Sequence, residues 1–219
     1  MFIGHFAVGL AAKPLAPRVS LGTLFLAAQW IDLLWPTLLL LGLERVRIEP
    51  GATVVTPLVF EHYPYTHSLL AVAGWAGLLA LGFLWARRDR RGALVLGALV
   101  LSHWLLDLVV HRPDLPLTPW SPEFLGWHAW ASLPLTLAIE LSLFALGVWL
   151  YARNTFPLDA VGRWALRGLL LFLALVYAAN LFGAPPPDVR AIAWVGQLQW
   201  LLVLWGYWVD RHRRARPEP

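Results

Sequence analysis

His103 and Asp107 stand four residues apart in the run Ser102-His103-Trp104-Leu105-Leu106-Asp107-Leu108. If this run is helical, imidazole and carboxylate share one face a turn apart, and His111 follows another turn along, about 80° round from His103. A helix offering histidine and carboxylate at this spacing can bring both to one metal ion. The alternative is a structural His–Asp pair between helices. Either way Asp107 needs a partner, because an aspartate at the centre of a bilayer costs roughly 3 kcal/mol on insertion scales.

Other polar residues stand out against apolar surroundings. Asp32 lies in Gln29-Trp30-Ile31-Asp32-Leu33-Leu34-Trp35-Pro36, with no Lys or Arg in that run. Its counter-charge must come from a bound cation, from His5 or from His103; a protonated Asp or a proton relay are the alternatives. His62-Tyr63-Pro64-Tyr65-Thr66-His67-Ser68 puts two histidines within six residues beside aromatics and hydroxyls. Ser68 or Thr66 is placed to cap the following helix, which sets His67 at a helix end. Asp114, in His111-Arg112-Pro113-Asp114, suits either a turn closed by Arg112 or contact with a substrate. Glu140 is costly within an apolar run but has no second ligand near it in sequence, while Glu61, Glu123 and His128 read as solvated and His212 as part of a basic tail.

The elements that must position these groups are membrane spans. Of 219 residues 59% are hydrophobic and 14% charged, with a mean hydropathy of +0.62; soluble domains carry roughly 25% charged residues. Fourteen tryptophans and five tyrosines suit two membrane interfaces. There is no cysteine, so disulfides, thiolate ligands and Cys nucleophiles are excluded and any metal must take imidazole and carboxylate. The fold expected is all-α, a polytopic transmembrane bundle of about six spans at 19–43, 67–86, 92–111, 131–152, 164–182 and 190–209. Phe2 to Ala12 is half a span, ends at Lys13-Pro14 and lacks a signal peptide's basic start and cleavage site, so it reads as a retained half-helix. Residues 1–130 then hold the candidate site and 131–219 add spans and a basic tail to one membrane unit.

The net charge of +4 comes with 17 Lys and Arg residues, only one of them Lys. They cluster at the ends of apolar runs, as in Arg87-Arg88-Asp89-Arg90-Arg91 and Arg211 to Arg216, which argues for membrane orientation and against nucleic-acid binding. Threading alternate loops to alternate sides puts thirteen on one side and four (Arg45, Arg47, Arg112, Arg190) on the other. The positive-inside rule makes the first side, with the C-terminal tail, cytoplasmic, and loops 44–66 and 112–130 external. The Arg-rich codon usage suggests a bacterial, GC-rich genome, hence the bacterial inner membrane.

Gly4-His5, Asp32, Tyr65-Thr66-His67-Ser68 and Ser102-His103-x3-Asp107 running into His111-Arg112-Pro113-Asp114 together resemble the YdjM-like bacterial membrane proteins, described as metal-dependent hydrolases. The resemblance covers residues 1–120. The order His, Asp, His, His-x3-Asp, His is also similar to the ligand order of zinc-dependent phospholipase C and related nucleases, which are all-helical. That pattern implies His5, Asp32, His67, His103, Asp107 and His111 as ligands. Those enzymes are soluble and begin with a ligating terminal amine. The Asp in the first span also lacks the Pro-Asp and following Asp-His of many YdjM-like proteins.

The expectation from residues and resemblance together is a membrane-bound hydrolase with a divalent metal, zinc by preference, on His5, Asp32, His67, His103 and Asp107. His62, His111 and Asp114 are the candidate catalytic residues. Membrane lipids are the expected partners, and a phosphoester or lipid-linked molecule at the outer face of the membrane the expected substrate. Two rival readings are a proton- or ion-coupled transporter working through Asp32, His103 and Glu140, and a non-catalytic scaffold or regulator whose polar groups bind helices together.

Overall fold

Side-chain caps and the lengths of the apolar runs set the helices. The computed structural model describes residues 1–216. Helix α1 (Ile3–Ala11) is the expected half-helix. Ser20 then accepts the Thr23 N–H to open α2 (Leu21–Ala28), and α3 (Trp30–Leu40) follows. An antiparallel ribbon of β1 (Arg45–Ile48) and β2 (Leu58–His62) leads to the one-turn α4 (Pro64–His67). Ser68 caps α5 (Leu69–Arg87), Arg88 turns the chain in the left-handed region, and Asp89 caps α6 (Arg90–Val110). A small ribbon of β3 (Leu115–Pro116) and β4 (Phe124–Leu125) precedes α7 (Leu133–Asn154), capped by Ser132. Beyond β5 (Thr155–Pro157), Asp159 caps α8 (Ala160–Phe182), its carboxylate held below the ordinary range by the Gly162 N–H it accepts and by His212. Asp188 caps α9 (Val189–Gln197), then come α10 (Gln199–Arg211) and β6 (Arg213–Ala215), which pairs with β5.

Four helices, α5 to α8, are each long and apolar enough to cross a membrane. The expected span at 19–43 is the α2–α3 pair, bent by 56° at Gln29, and counts as a fifth if the pair is one span. The expected span at 190–209 is divided at Leu198 into α9 and α10. Glutamines flank that break and turn to α3, Gln197 Nε2 donating to Thr37 Oγ1 (2.8 Å) and Gln199 Nε2 to the Asp32 carbonyl (3.5 Å). About six spans therefore becomes four or five, and three short ribbons qualify the all-α expectation. In Arg45-Val46-Arg47-Ile48 the period-two alternation of a half-buried strand is visible, with Val46 turned inward.

The long helices turn apolar side chains outward. On α5 only Val72 and Ala76 are buried, while Leu78, Leu81 and Trp85 are exposed, as a hydrocarbon surround permits. Inside, α1 packs on α7 where Gly147 admits the Ala7 carbonyl: a Cβ at 147 would meet that oxygen at 2.3 Å. Gly22 and Gly206 let α2 and α10 approach in the same way. With α2 also packed on α6, the helices α1, α3 and α6 converge, and α4 closes the space from above.

Candidate metal centre

That space holds the charged residues of the apolar runs. Helix α6 brings His103 and Asp107 on one face, α3 brings Asp32 three residues past the bend, α4 ends on His67, and α1 carries His5. At 1.5 Å per residue from Arg90, His103 and Asp107 lie about 20 and 26 Å along α6, near the end far from the arginine clusters.

The Asp32 and Asp107 carboxylates both approach the Nε2 atoms of His67 and His103. Asp32 Oδ1 is 3.6 Å from both His67 Nε2 and His103 Nε2; Asp107 Oδ2 is 3.2 Å from His103 Nε2 and 3.9 Å from His67 Nε2. Tetrahedral ligands about 2.1 Å from an ion lie about 3.4 Å from one another, so these separations suit a zinc-sized cation. His103 Nε2 is buried and near both carboxylates yet hydrogen-bonds to neither. A ring nitrogen aimed between two carboxylates could serve as a ligand to a cation held there.

The tautomers follow from the partners. His103 Nδ1 is 2.9 Å from the Ala28 carbonyl, which can only accept, so Nδ1 carries a proton and, in the neutral ring, Nε2 keeps its lone pair. The Thr66 hydroxyl donates to Glu44 Oε2 (2.7 Å) and its oxygen lies 2.7 Å from His67 Nδ1. With its proton on Glu44, Thr66 accepts from His67 Nδ1–H, and again Nε2 is free to bind. Glu44 is fixed by accepting the Tyr65 and Thr66 backbone N–H groups, both at 2.9 Å.

The second oxygen of Asp107 faces another group. Oδ1 is 2.6 Å from the Met1 amine nitrogen, 3.1 Å from His5 Nε2 and 4.0 Å from His111 Nε2. The His5 ring stacks on His103 at 3.6 Å, nearly parallel. Two sets could hold a cation among the described residues, His5–His103–Asp107 and Asp32–His67–His103, sharing His103.

His111 lies behind Asp107. Its Nδ1 is 2.9 Å from Asp114 Oδ1, which also accepts the Tyr63 hydroxyl (2.9 Å), while Arg112 Nε donates to Oδ2 (3.3 Å). Burial, and then the nearby Asp114 charge, push the Tyr63 hydroxyl well above its usual range, so it stays a donor. Phe60 and Trp130 pack on the His111 ring, which is buried. His62 is in neither ligand set; half-buried at the end of β2, its ring lies 6.2 Å from Tyr65. Glu140 accepts the Phe2 and Gly4 N–H groups and so anchors the start of α1. Glu61 pairs with Arg47 at the surface, Glu123 and His128 are exposed, and His212 pairs with Asp159 (2.7 Å).

Sequence reasoning passed over Glu44 and gave Thr66 only a capping role, which Ser68 fills. A carboxylate at the end of an apolar run, with a Thr-His pair to receive it, was the available signal. Access is also uneven: the Asp32 side chain is 25% exposed against 4% or less for His67, His103 and Asp107.

Fold and site together define a mainly helical protein with several helices long and apolar enough to cross a membrane and a buried His/Asp cluster able to hold a metal ion. No family model matches the chain, and neither characterised proteins nor solved structures include a significant match.

Proposed function

We propose that the chain is a membrane-embedded, metal-dependent hydrolase that holds zinc on Asp32, His67, His103 and Asp107. The observation that carries this reading is that Asp32 Oδ1 and Asp107 Oδ2 each lie 3.2 to 3.9 Å from the Nε2 atoms of His67 and His103, with His103 Nε2 buried and without a hydrogen bond. The resemblance to YdjM-like hydrolases points the same way. When bound, zinc supplies Lewis acidity, lowering the pKa of water towards neutrality and polarising a phosphoryl or acyl oxygen.

The chain's own groups divide the remaining work. Asp32, the exposed edge of the cluster, would hold the ion through Oδ1, the oxygen facing the histidines, and take the proton of the attacking water at its other oxygen, Oδ2. Glu44 and Thr66 fix the His67 tautomer, and Asp114 and Tyr63 orient His111 behind Asp107, so His111 and Asp114 act as positioning residues. His62 has less support as a catalytic group because it stands outside the cluster. If the arginine-rich end is cytoplasmic, the centre lies towards the outer leaflet, which favours a phosphoester on a lipid or lipid-linked molecule as substrate. A transporter has less support, because Glu140 is engaged by backbone donors, and Asp32 and His103 lie together in one cluster.

Elemental analysis of detergent-purified protein tests this reading, wild type against a His103→Ala/Asp107→Ala variant of matching helicity. About one or more zinc, manganese or iron per chain, lost in the variant, is the expected result. Equal trace metal in both after metal-supplemented growth overturns it.

A further inference from the structure

A groove of about 370 Å³ opens at the end of the bundle opposite the His/Asp cluster. Lys13, Arg18, Arg211, Arg213 and Arg214 line it against a single carboxylate, Asp210. Orienting a membrane protein needs arginines only in any loop on one side, such as Arg87 to Arg91. It does not require them to be folded into a wall.

Here they are folded. Asp210 accepts from Lys13 Nζ (2.5 Å), the Leu21 N–H (2.8 Å) and the Tyr151 hydroxyl (2.6 Å), so its charge is taken up in the floor. Lys13 is buried and donates also to the Val19 carbonyl. The arginine-bearing tail is pinned by the β5–β6 ladder and by the Arg216 N–H to the Asn154 carbonyl (2.8 Å). Arg213 is part of this frame, donating to Thr155 Oγ1 and the Gly162 carbonyl. What is left is Arg18, Arg211 and Arg214, exposed at the rim and without an ion pair to any described residue.

Three unbalanced guanidinium forks around a concave surface match the geometry of a phosphate, which they can bind bidentately. Trp164 and Trp208 are exposed at the same end of the bundle, at the depth where a membrane interface would lie. We propose that this groove is a phosphate-binding site, filled by the headgroup of an anionic phospholipid or by a soluble phosphate of the same chemistry. The proposal is independent of the metal centre.

The test places the full chain in phosphatidylcholine nanodiscs with and without phosphatidylglycerol and counts retained lipids by native mass spectrometry. An Arg18→Gln/Arg211→Gln/Arg214→Gln variant is compared with an Arg87→Gln/Arg90→Gln/Arg163→Gln control, which removes equal charge from the same end but outside the groove. Wild type and control are expected to retain phosphatidylglycerol preferentially. The groove variant should bind it about a hundredfold more weakly, and Arg18→Gln alone roughly fivefold. Displacement of the lipid by inorganic phosphate, or phosphate binding lost only in the groove variant, assigns the site to free phosphate; retention in its presence assigns it to the lipid. Equal losses in both triple variants, or no preference for phosphatidylglycerol together with no phosphate binding, overturn the proposal.

Discussion

Thr66 and His67 are neighbours in sequence whose side chains are hydrogen-bonded to each other, Oγ1 to Nδ1 at 2.7 Å. The one-turn helix α4 makes this possible by turning both inward, where Glu44 receives the hydroxyl proton and the ring's far nitrogen meets Asp32 and Asp107. A carboxylate held by two backbone N–H groups thus governs, through a hydroxyl, which nitrogen of His67 is free for a ligand.

Removing the relay should weaken metal binding without removing a ligand. For Glu44→Gln a loss of about 10- to 100-fold in affinity is expected. Thr66→Val should behave similarly and Thr66→Ser stay close to wild type, since serine keeps the hydroxyl. Competition against a chromogenic chelator measures this. Unchanged affinity in Glu44→Gln and Thr66→Val would show that His67 is oriented by packing alone.

Taking the metal away should lower thermal stability. An ion present at 100 times its Kd adds about 2.7 kcal/mol, and in a chain of this size each kcal/mol moves the midpoint by about 2–4 °C. Chelation should therefore lower the unfolding midpoint by roughly 5–10 °C in detergent, and zinc should restore it. Magnesium should not, because it prefers octahedral oxygen ligands and two of the four donors here are imidazole nitrogens. A midpoint indifferent to both chelator and zinc would count against a metal centre.

The part of this cluster visible in the sequence is the part written along one helix or forced by energy. His103 and Asp107 are one turn apart on α6, and Asp32, in an apolar run without a cation, had to find a partner from elsewhere. Glu44 was hidden because it precedes Arg45 and Arg47 and reads as one charge of a solvated loop; only the β1–β2 ribbon brings Thr66 back to it. Gln29 was hidden because neither Pro nor Gly marks the bend between α2 and α3, although that bend sets Asp32 against His67 and His103. The break at Leu198 was obscured for a similar reason: apolar residues on both sides of it read as one run, and the flanking glutamines show their purpose only when paired with α3.

Close packing of α1 on α7 positions His5, and Gly147 permits it. Gly147→Ala would put a Cβ 2.3 Å from the Ala7 carbonyl oxygen, so the helices must separate. A loss of about 1–3 kcal/mol is expected from overpacking. Gly77→Ala, on α5 with nothing within 4 Å, should instead be neutral or gain up to about 1 kcal/mol from helix propensity. Thermal unfolding of the two variants side by side decides this, and equal stability would mean that α1 shifts freely and does not hold His5 in place.

The frame beneath the basic groove depends on a buried ion pair, Lys13 Nζ to Asp210 Oδ2 at 2.5 Å, with side chains only 5% and 10% exposed. Breaking one side of such a pair leaves the other charge buried and unpaired, at a cost of about 3–5 kcal/mol. Asp210→Asn should approach that loss even though the amide oxygen can still accept from Leu21 while its NH2 turns to the Tyr151 hydroxyl oxygen, because the ammonium stays behind without a counter-charge. Adding Lys13→Met removes the stranded charge and should recover more than half of the loss. A double-mutant cycle on unfolding midpoints measures the coupling. Additive losses would mean that water reaches Lys13 and screens it, and the floor of the groove would then owe its rigidity to the β5–β6 ladder and the Tyr151 hydroxyl.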